Sequence, residues 1–563
     1  MTDLLTEYES GGVLTSADLA TTRRLAILLG ESDQLAQLAL AFAVRAIRTG
    51  STCFDPAQDP GVPGLTWPDP TTLLAAVSAS SMSSVLTVEH SLIYLDRYLE
   101  LEKELCKDLQ ERAENSTLSP DIELLNTDLD RIFPAAETET DPDFGEQRAA
   151  AEKAAQVGTL VITGGPGTGK TTTVAGLLAI LQSQSQHAGN DSLRVALAAP
   201  TGKAAARMRE ALVANANRLD FTPAERDWLI SLESATLHRL LGFRHDNHTR
   251  FKHNRLRHLP HDVVVVDETS MASLEIVARL VEAMRPDARL ILVGDADQLA
   301  SVEAGAVLHD VVAGWSANHI ARLSRSHRFS GAIGKLAAAV RDGDSQTALA
   351  VLTDPTSAAR LVDPAEAEQT IKARSLPGAL ALVSAANAGE VPGAFNALNQ
   401  HRLLCAHRGG PTGASTWNNR ITSWLRSEVG FDQWYPGRPI LVTKNDAQLG
   451  IFNGDAGVTV SGPAGVAVEF DSSPAKSISP ARLPQVQTGY AMTIHRSQGS
   501  EFADVTVLLP SVDSRVMSRQ LLYTAITRAI SSVTIIGTAD DVRSAISRQA
   551  SRSSGISERL AEN

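Results

Sequence analysis

Residues 160–173 read LVITGGPGTGKTTT, and no other stretch restricts the fold so tightly. Four residues suited to a buried strand run into a glycine-rich loop, and the loop opens onto the apolar run 174–181, which reads as a helix. In that context the loop is a P-loop. Gly164, Gly165, Pro166, Gly167, Thr168 and Gly169 let backbone amides close around a polyphosphate. Lys170 neutralises its β and γ oxygens, Thr171 offers a hydroxyl to Mg²⁺, and Thr172 continues the cradle into the helix. A strand–loop–helix of this kind belongs to a parallel α/β sheet, and the chain is expected to bind a nucleoside triphosphate with Mg²⁺.

The same pattern recurs downstream. Residues 195–199 are an apolar run ending in Pro200-Thr201-Gly202-Lys203, and residues 263–266 are four consecutive valines ending in Asp267-Glu268. The second is a Walker B arrangement, in which a buried strand delivers Asp267 to Mg²⁺ and Glu268 to the attacking water. Residues 290–293 form a further strand before Gly294-Asp295-Ala296-Asp297-Gln298. Repeated strand–helix units with polar residues at strand ends describe a doubly wound sheet whose ligand sits at that edge. Gln147, shortly before the P-loop strand, carries an amide able to read an adenine edge with paired donor and acceptor.

At 563 residues the chain exceeds one hydrophobic core. Three well-separated cysteines, Cys53, Cys106 and Cys405, offer neither a metal pair nor a redox motif. No uninterrupted apolar run or secretory pattern is present, so a cytoplasmic protein with no membrane partner is expected. The net charge of −13 seems wrong for a nucleic-acid binder until it is divided. Residues 1–150 hold 10 basic and 26 acidic side chains; the rest hold 41 and 38. The acidity therefore belongs to the N-terminal quarter, and the remainder suits a phosphate backbone in a local groove.

Residues 1 to about 115 read as helical. Ser32-Asp33 can cap a helix over 34–47 that Gly50 stops, and a second helix is expected over 90–112, with Arg97, Glu102, Lys103, Lys107 and Glu111 on its solvated face. Residues 119–143, rich in Asp, Glu and Pro, read as a linker. Residues 243–260 interleave His245, His248, His253 and His258 with five Arg and Lys residues, and without cysteines or regular ligand spacing they suit a basic DNA-facing loop better than a metal site. Residues 436–484 read as β, with Asn453-Gly454 as a hairpin turn. The Ser/Arg-rich tail 551–563 is expected to fray.

Taken together, Gln147, GGPGTGKT (164–171), APTGKAAARM (199–208), TLHRLLG (236–242), VVVVDETSM (263–271), LVGDADQLASVEAG (292–305), LSRSHRF (323–329), GYAMTIHRSQGSEF (489–502) and LLYTAITRA (521–529) resemble the ordered motifs of superfamily 1 helicases. The wording is most similar to the RecD family, alpha subunits of bacterial exodeoxyribonuclease V; residues 92–98 resemble its N-terminal domain more weakly.

The resemblance implies two RecA-like P-loop NTPase domains with parallel sheets, an N-terminal helical domain and a small SH3-like β insertion. The expected division is 1–118 for partner docking, 119–345 for the first motor domain with its basic insertion, and 346–563 for the second with the β insertion at 436–484. By motif position Gln298 senses the γ-phosphate, Arg328 and Arg528 are arginine fingers, and Glu501 holds the ribose. Thr201, Lys203, His238, Thr493 and His495 line the single-strand track, and the basic insertion is a strand-splitting pin. The implied activity is a 5′→3′ DNA helicase and translocase acting on single strands and duplex ends. It would work within a nucleoid-associated heterotrimer with RecB-like and RecC-like subunits that resects DNA ends for recombinational repair. The chain shows no nuclease constellation, which places any cutting site on a partner. A stand-alone DNA or RNA helicase is the nearest alternative, and a non-catalytic ATP-gated clamp is an alternative of another class.

Overall fold

The computed structural model describes residues 4–562 apart from 63, 115–118, 136–142, 245–249, 326–330, 431, 447, 464, 472–475, 512–513, 515 and 551. Three sheets organise the motor. The first is six-stranded and wholly parallel, in the order Ser234–Thr236, Val195–Ala199, Val263–Val266, Arg289–Gly294, Thr159–Gly164, Ile320–Leu323. Its central strands are buried on both faces, which is why they read as unbroken apolar runs and not as alternating ones.

The second sheet, also parallel, runs Ala359–Val362, Ala529–Ile536, Phe502–Leu508, His401–Cys405, Ala491–Thr493. Between its strands lies the third, a five-stranded antiparallel sheet ordered Lys476–Ile478, Gly465–Phe470, Ala456–Gly462, Pro439–Val442, Val486–Thr488. The expected SH3-like insertion is thus a sheet with its own small core around Ile440, Val468 and Phe470, and its two edge strands are not paired with each other. Asn453-Gly454 does turn, with Gly454 at φ 96°, but it closes a longer excursion that includes an Asp446–Ile451 bridge.

The N-terminal quarter departs from the helical expectation. The helix Gln34–Arg48 forms as read, with the Asp33 carboxylate accepting from the amides of Leu35 and Ala36. Beside it, however, Cys53–Phe54, Leu86–Glu89 and Leu92–Leu95 make a three-stranded antiparallel sheet. The helix expected from residue 90 begins only at Asp96, because His90 and Ser91, at φ 50° and 61°, form a two-residue hairpin turn that commits residues 92–95 to pairing. Leucine spacing favours the wrong reading here: Leu92 and Leu95, three apart, share a helical face, whereas in the strand they point to opposite faces.

Helix Asp96–Glu114 does not belong to the N-terminal core. Residues 5–93 pack around Tyr8, Phe42 and Ile93, whereas Leu101, Leu105, Cys106 and Leu109 join the first motor core with Val264 and Leu280. A cut at residue 118 would therefore open the motor, and the packing divides near residue 95. Glu102, expected in solvent, is fully buried.

Two segments expected to lack structure are ordered by burial. Within 119–143, the helix Ile122–Ile132 lays Leu125, Leu129 and Ile132 against the core of the P-loop helix Lys170–His187. Glu123 and Asp130 face away from that stripe, whereas Asp128 lies on it, buried, and accepts from Arg131 at 2.7 Å. At the other end, Ile556–Ala561 is a helix whose Ile556 and Leu560 complete the first motor core, so the tail does not fray over these residues.

Candidate nucleotide site and single-strand groove

The P-loop follows strand Thr159–Gly164, and Gly167 and Gly169 take φ of 77° and 86°, a left-handed conformation that costs a glycine little. The Lys170 ammonium donates to the carbonyls of Gly164 and Gly165 at 2.7 and 2.9 Å, and the Thr168 hydroxyl donates to Gly165 at 2.9 Å. Lys170 is thereby held over the loop in the position from which phosphate oxygens can take it over. Gln147 is buried and its amide nitrogen donates to the Thr168 carbonyl at 3.0 Å, so in this form it braces the loop.

Strand Val263–Val266 ends at Asp267, whose own amide is fixed by the Ala198 carbonyl at 2.8 Å, while its carboxylate accepts the Glu268 amide at 2.8 Å. Burial and the neighbouring Glu268 carboxylate raise the Asp267 pKa, and Lys170 opposes the shift. Glu268 sits at φ 51°, one of three non-glycine residues with positive φ among those described. Backbone strain at a carboxylate beside a P-loop is the kind of cost that persists where surrounding structure over-determines a position.

A cavity of about 740 Å³ joins these parts. Its lining includes Gln147, Pro166, Gly167, Gly169, Lys170, Thr171 and Thr172 from the loop region, Asp267, Glu268 and Gln298 from the first sheet, and Glu501 and Arg528 from the second motor domain. Arg528 is 3 % exposed and its guanidinium donates to the carbonyls of Thr524 and Ser500 at 3.1 and 3.3 Å. Arg328 lies outside the described residues. Further lining from Arg131, Ile132, Pro134, Phe144, Arg218 and Leu219 was not anticipated. Arg131, Ile132 and Pro134 lie in a supposed linker, Phe144 just beyond it and Arg218 and Leu219 after a helix end, without motif spacing to mark them.

Thr171 and Asp267 present a hydroxyl and a carboxylate to the same cavity beside Lys170, and this hard oxygen pair fits Mg²⁺, which uses few protein ligands and takes the rest from phosphate and water.

A second cavity, of about 610 Å³, lies between the motor domains. Thr201, Lys203 and His238 reach it from the first domain, and Thr493 and His495 from the second, so all five expected track residues meet in one groove although they span nearly 300 residues of sequence. Burial, with Arg207 and Arg402 nearby, pushes the Lys203 ammonium down to about 8, and burial lowers His495 as well. Asn453 and Gly454 of the β insertion complete the wall, and Phe452 lies 3.1 Å from where a Cβ on Gly202 would stand. Phe452, 37 % exposed, was missed by sequence; an exposed aromatic beside an Asn-Gly turn is the one signal that pointed to it.

The basic insertion is anchored at its base. Phe243 and Phe251 form an isolated antiparallel bridge, both rings pack against His238, and a turn between Asn254 and Arg257 leaves Leu256 99 % exposed. Arg255 makes a two-pronged ion pair with Asp108 at 2.9 and 3.0 Å. His245 and His248 fall outside the described residues, and Leu259 is buried in the motor core.

Residues 147–304 match the AAA domain family, and residues 488–536 match the UvrD-like helicase C-terminal domain family. Over 559 residues the chain is 48 % identical to the RecBCD enzyme subunit RecD of Mycolicibacterium smegmatis, covering 97 % of this chain and 98 % of that protein. The RecBCD enzyme subunit RecD of Haemophilus influenzae is 32 % identical over 512 residues, 79 % of this chain and 76 % of the relative. The ATP-dependent RecD2 DNA helicase of Deinococcus radiodurans is 32 % identical over 430 residues, 74 % of this chain but 52 % of that protein. No helix of the described residues is long and apolar enough to cross a membrane.

Proposed function

The chain belongs to the RecD family of RecBCD helicase subunits and is an ATP-dependent DNA helicase; from that premise we propose how its residues divide the work. ATP occupies the cavity over the P-loop, its β and γ phosphates held by loop amides and Lys170. Thr171 and Asp267 hold Mg²⁺, which when bound neutralises charge on the phosphates. Glu268 orients and deprotonates the attacking water, Gln298 contacts the γ-phosphate, and Glu501 holds the ribose. Arg528, and Arg328 with it, stabilise charge on the transferring phosphoryl group from the second domain, so hydrolysis requires that domain to be docked.

The observation that carries this reading is that residues of both motor domains line both cavities. A change of nucleotide state alters the relation between the domains, and the same change alters the grip of Thr201, Lys203 and His238 relative to Thr493 and His495. Phosphates and stacked bases of a single strand suit such a groove. The basic insertion, whose Phe243 and Phe251 rest on His238 of the groove, divides the duplex ahead of the single strand in this reading.

We further propose 5′→3′ movement, action on duplex ends in recombinational repair, assembly with RecB-like and RecC-like subunits, and a cytoplasmic, nucleoid-associated location. Unwinding of partial duplexes bearing a 5′ or a 3′ single-stranded tail tests the polarity: the 5′-tailed substrate is expected to open, and opening only of the 3′-tailed one would overturn it. Purification of the native protein tests the assembly: RecB-like and RecC-like subunits are expected to accompany it, and its recovery alone would overturn the assembly.

A further inference from the structure

Asp295 is 2 % exposed, and a buried carboxylate needs donors. Its Oδ1 accepts the Asp297 amide at 3.1 Å. Its Oδ2 accepts two side chains: the Gln298 amide nitrogen at 3.0 Å and, from the second motor domain, the Tyr523 hydroxyl at 3.1 Å. Tyr523 is 4 % exposed, and its hydroxyl lies 3.0 Å from where a Cβ on Gly165 would stand, so it rests against the P-loop as well. The same short stretch is gripped twice more from across the domain boundary. The Leu299 amide donates to the Thr524 hydroxyl at 3.0 Å, and the Gln498 side chain donates to the Leu299 carbonyl at 2.7 Å.

We propose that Tyr523 is a positioning residue for hydrolysis: by donating to Asp295 it releases Gln298 to meet the γ-phosphate when the second motor domain is docked. The proposal rests on the reading of Gln298 as the γ-phosphate contact. In the arrangement seen here Gln298 is tied to Asp295, and turning it toward a phosphate at Lys170 removes one donor from a buried anion. With Tyr523 in place Oδ2 keeps a hydrogen bond, so the exchange is cheap. Without it, Gln298 becomes the only side chain donating to that oxygen among the described residues, and its departure leaves a buried charge short of a partner, which is the costly case. Because Tyr523 belongs to the domain that also lines the single-strand groove, the release of Gln298 depends on the relation between the domains.

Steady-state ATPase of the full chain with an oligodeoxythymidine, together with the affinity for a non-hydrolysable ATP analogue, tests this. Tyr523→Phe, which deletes one oxygen, is expected to lower DNA-stimulated kcat about tenfold while analogue affinity stays within about twofold. An unchanged kcat, or equal losses in affinity and kcat, would overturn it. Asp295→Asn removes the buried charge, so adding Tyr523→Phe to that variant is expected to cost less than about a further twofold, whereas a full additional tenfold loss would mean that Tyr523 does not act through Asp295. Gln298→Ala separates the two claims. If it cripples kcat while Tyr523→Phe does not, the role of Tyr523 falls and that of Gln298 stands; if it leaves kcat intact, both fall.

Discussion

The backbone amide of Gly555 donates to the buried carboxylate of Glu102 at 3.1 Å, so the end of the chain closes on a helix laid down 453 residues earlier. Around the pair, the Thr52 and Tyr94 hydroxyls also donate to Glu102, and the Arg559 guanidinium lies 3.6 Å away. Burial raises the Glu102 pKa while these donors and the Arg559 charge oppose it. Three parts of the sequence meet at this carboxylate: the N-terminal unit, the first motor domain and the tail.

The tail is accordingly expected to be structural. Ile556 is fully buried among Leu105, Leu109 and Val311, and Ile556→Ala should destabilise the motor by about 2–4 kcal/mol through the lost contacts and the cavity left behind. Thermal melting followed by circular dichroism reads this; a melting temperature within one degree of the parent's would show that the tail contributes nothing.

The N-terminal unit is expected to be the assembly surface: residues 1–95 hold 10 acidic and 4 basic side chains, an excess that disfavours a DNA backbone there. Deleting residues 1–95, and not 1–118, spares the helix Asp96–Glu114 that the motor core needs. The shortened chain should lose its partners in a pull-down yet retain DNA-stimulated ATPase. Stoichiometric co-purification of the fragment with the partner subunits would remove the docking role.

Hydrolysis should depend on the P-loop and Walker B residues in different ways. Lys170→Ala is expected to abolish ATPase, and Glu268→Gln to preserve ATP binding while slowing turnover by about two to four orders of magnitude. Measurement of nucleotide binding by filter retention beside single-turnover hydrolysis distinguishes them. Near-normal DNA-stimulated turnover in either variant is incompatible with the assignment.

For Arg528 the expected signature is a split. Its replacement by Ala should lower kcat about a thousandfold and weaken ATP binding no more than a few-fold, because a charge that reaches the phosphoryl group only on closure stabilises the transition state selectively. Equal losses in both would make it a ground-state anchor.

The pin is expected to be separable from the ATPase only if its base is left intact. Phe251 and Leu259 are in the motor core, so the test replaces residues 244–250 alone with a Gly-Ser linker. Single-strand-stimulated ATPase should persist while unwinding of a tailed duplex falls at least tenfold. Unchanged unwinding would leave the loop without a role in strand separation.

Much of this molecule could be read from sequence because its chemistry is local. A P-loop needs its glycines, lysine and threonine in consecutive positions, and a Walker B acid must end a buried strand; four valines before Asp267 and the loop at 164–171 therefore announce themselves. Doubly buried parallel strands do the same, since no solvent face interrupts their apolar runs. What remained hidden depends on partners distant in sequence. The leucines at 92 and 95 are spaced for a helical face, yet the turn at His90-Ser91 makes them a strand, and the charges of 119–143 say nothing of the stripe that faces the P-loop helix. Glu102 reads as a surface residue because its donors come from residues 52, 94 and 555. Tyr523 reads as part of a buried helix because Asp295 is 228 positions away. Sequence fixes what each segment can do by itself; which buried polar groups satisfy one another, and hence where the domains grip, is settled only when the chain is folded, because that pairing lowers free energy only after water has been excluded from both partners.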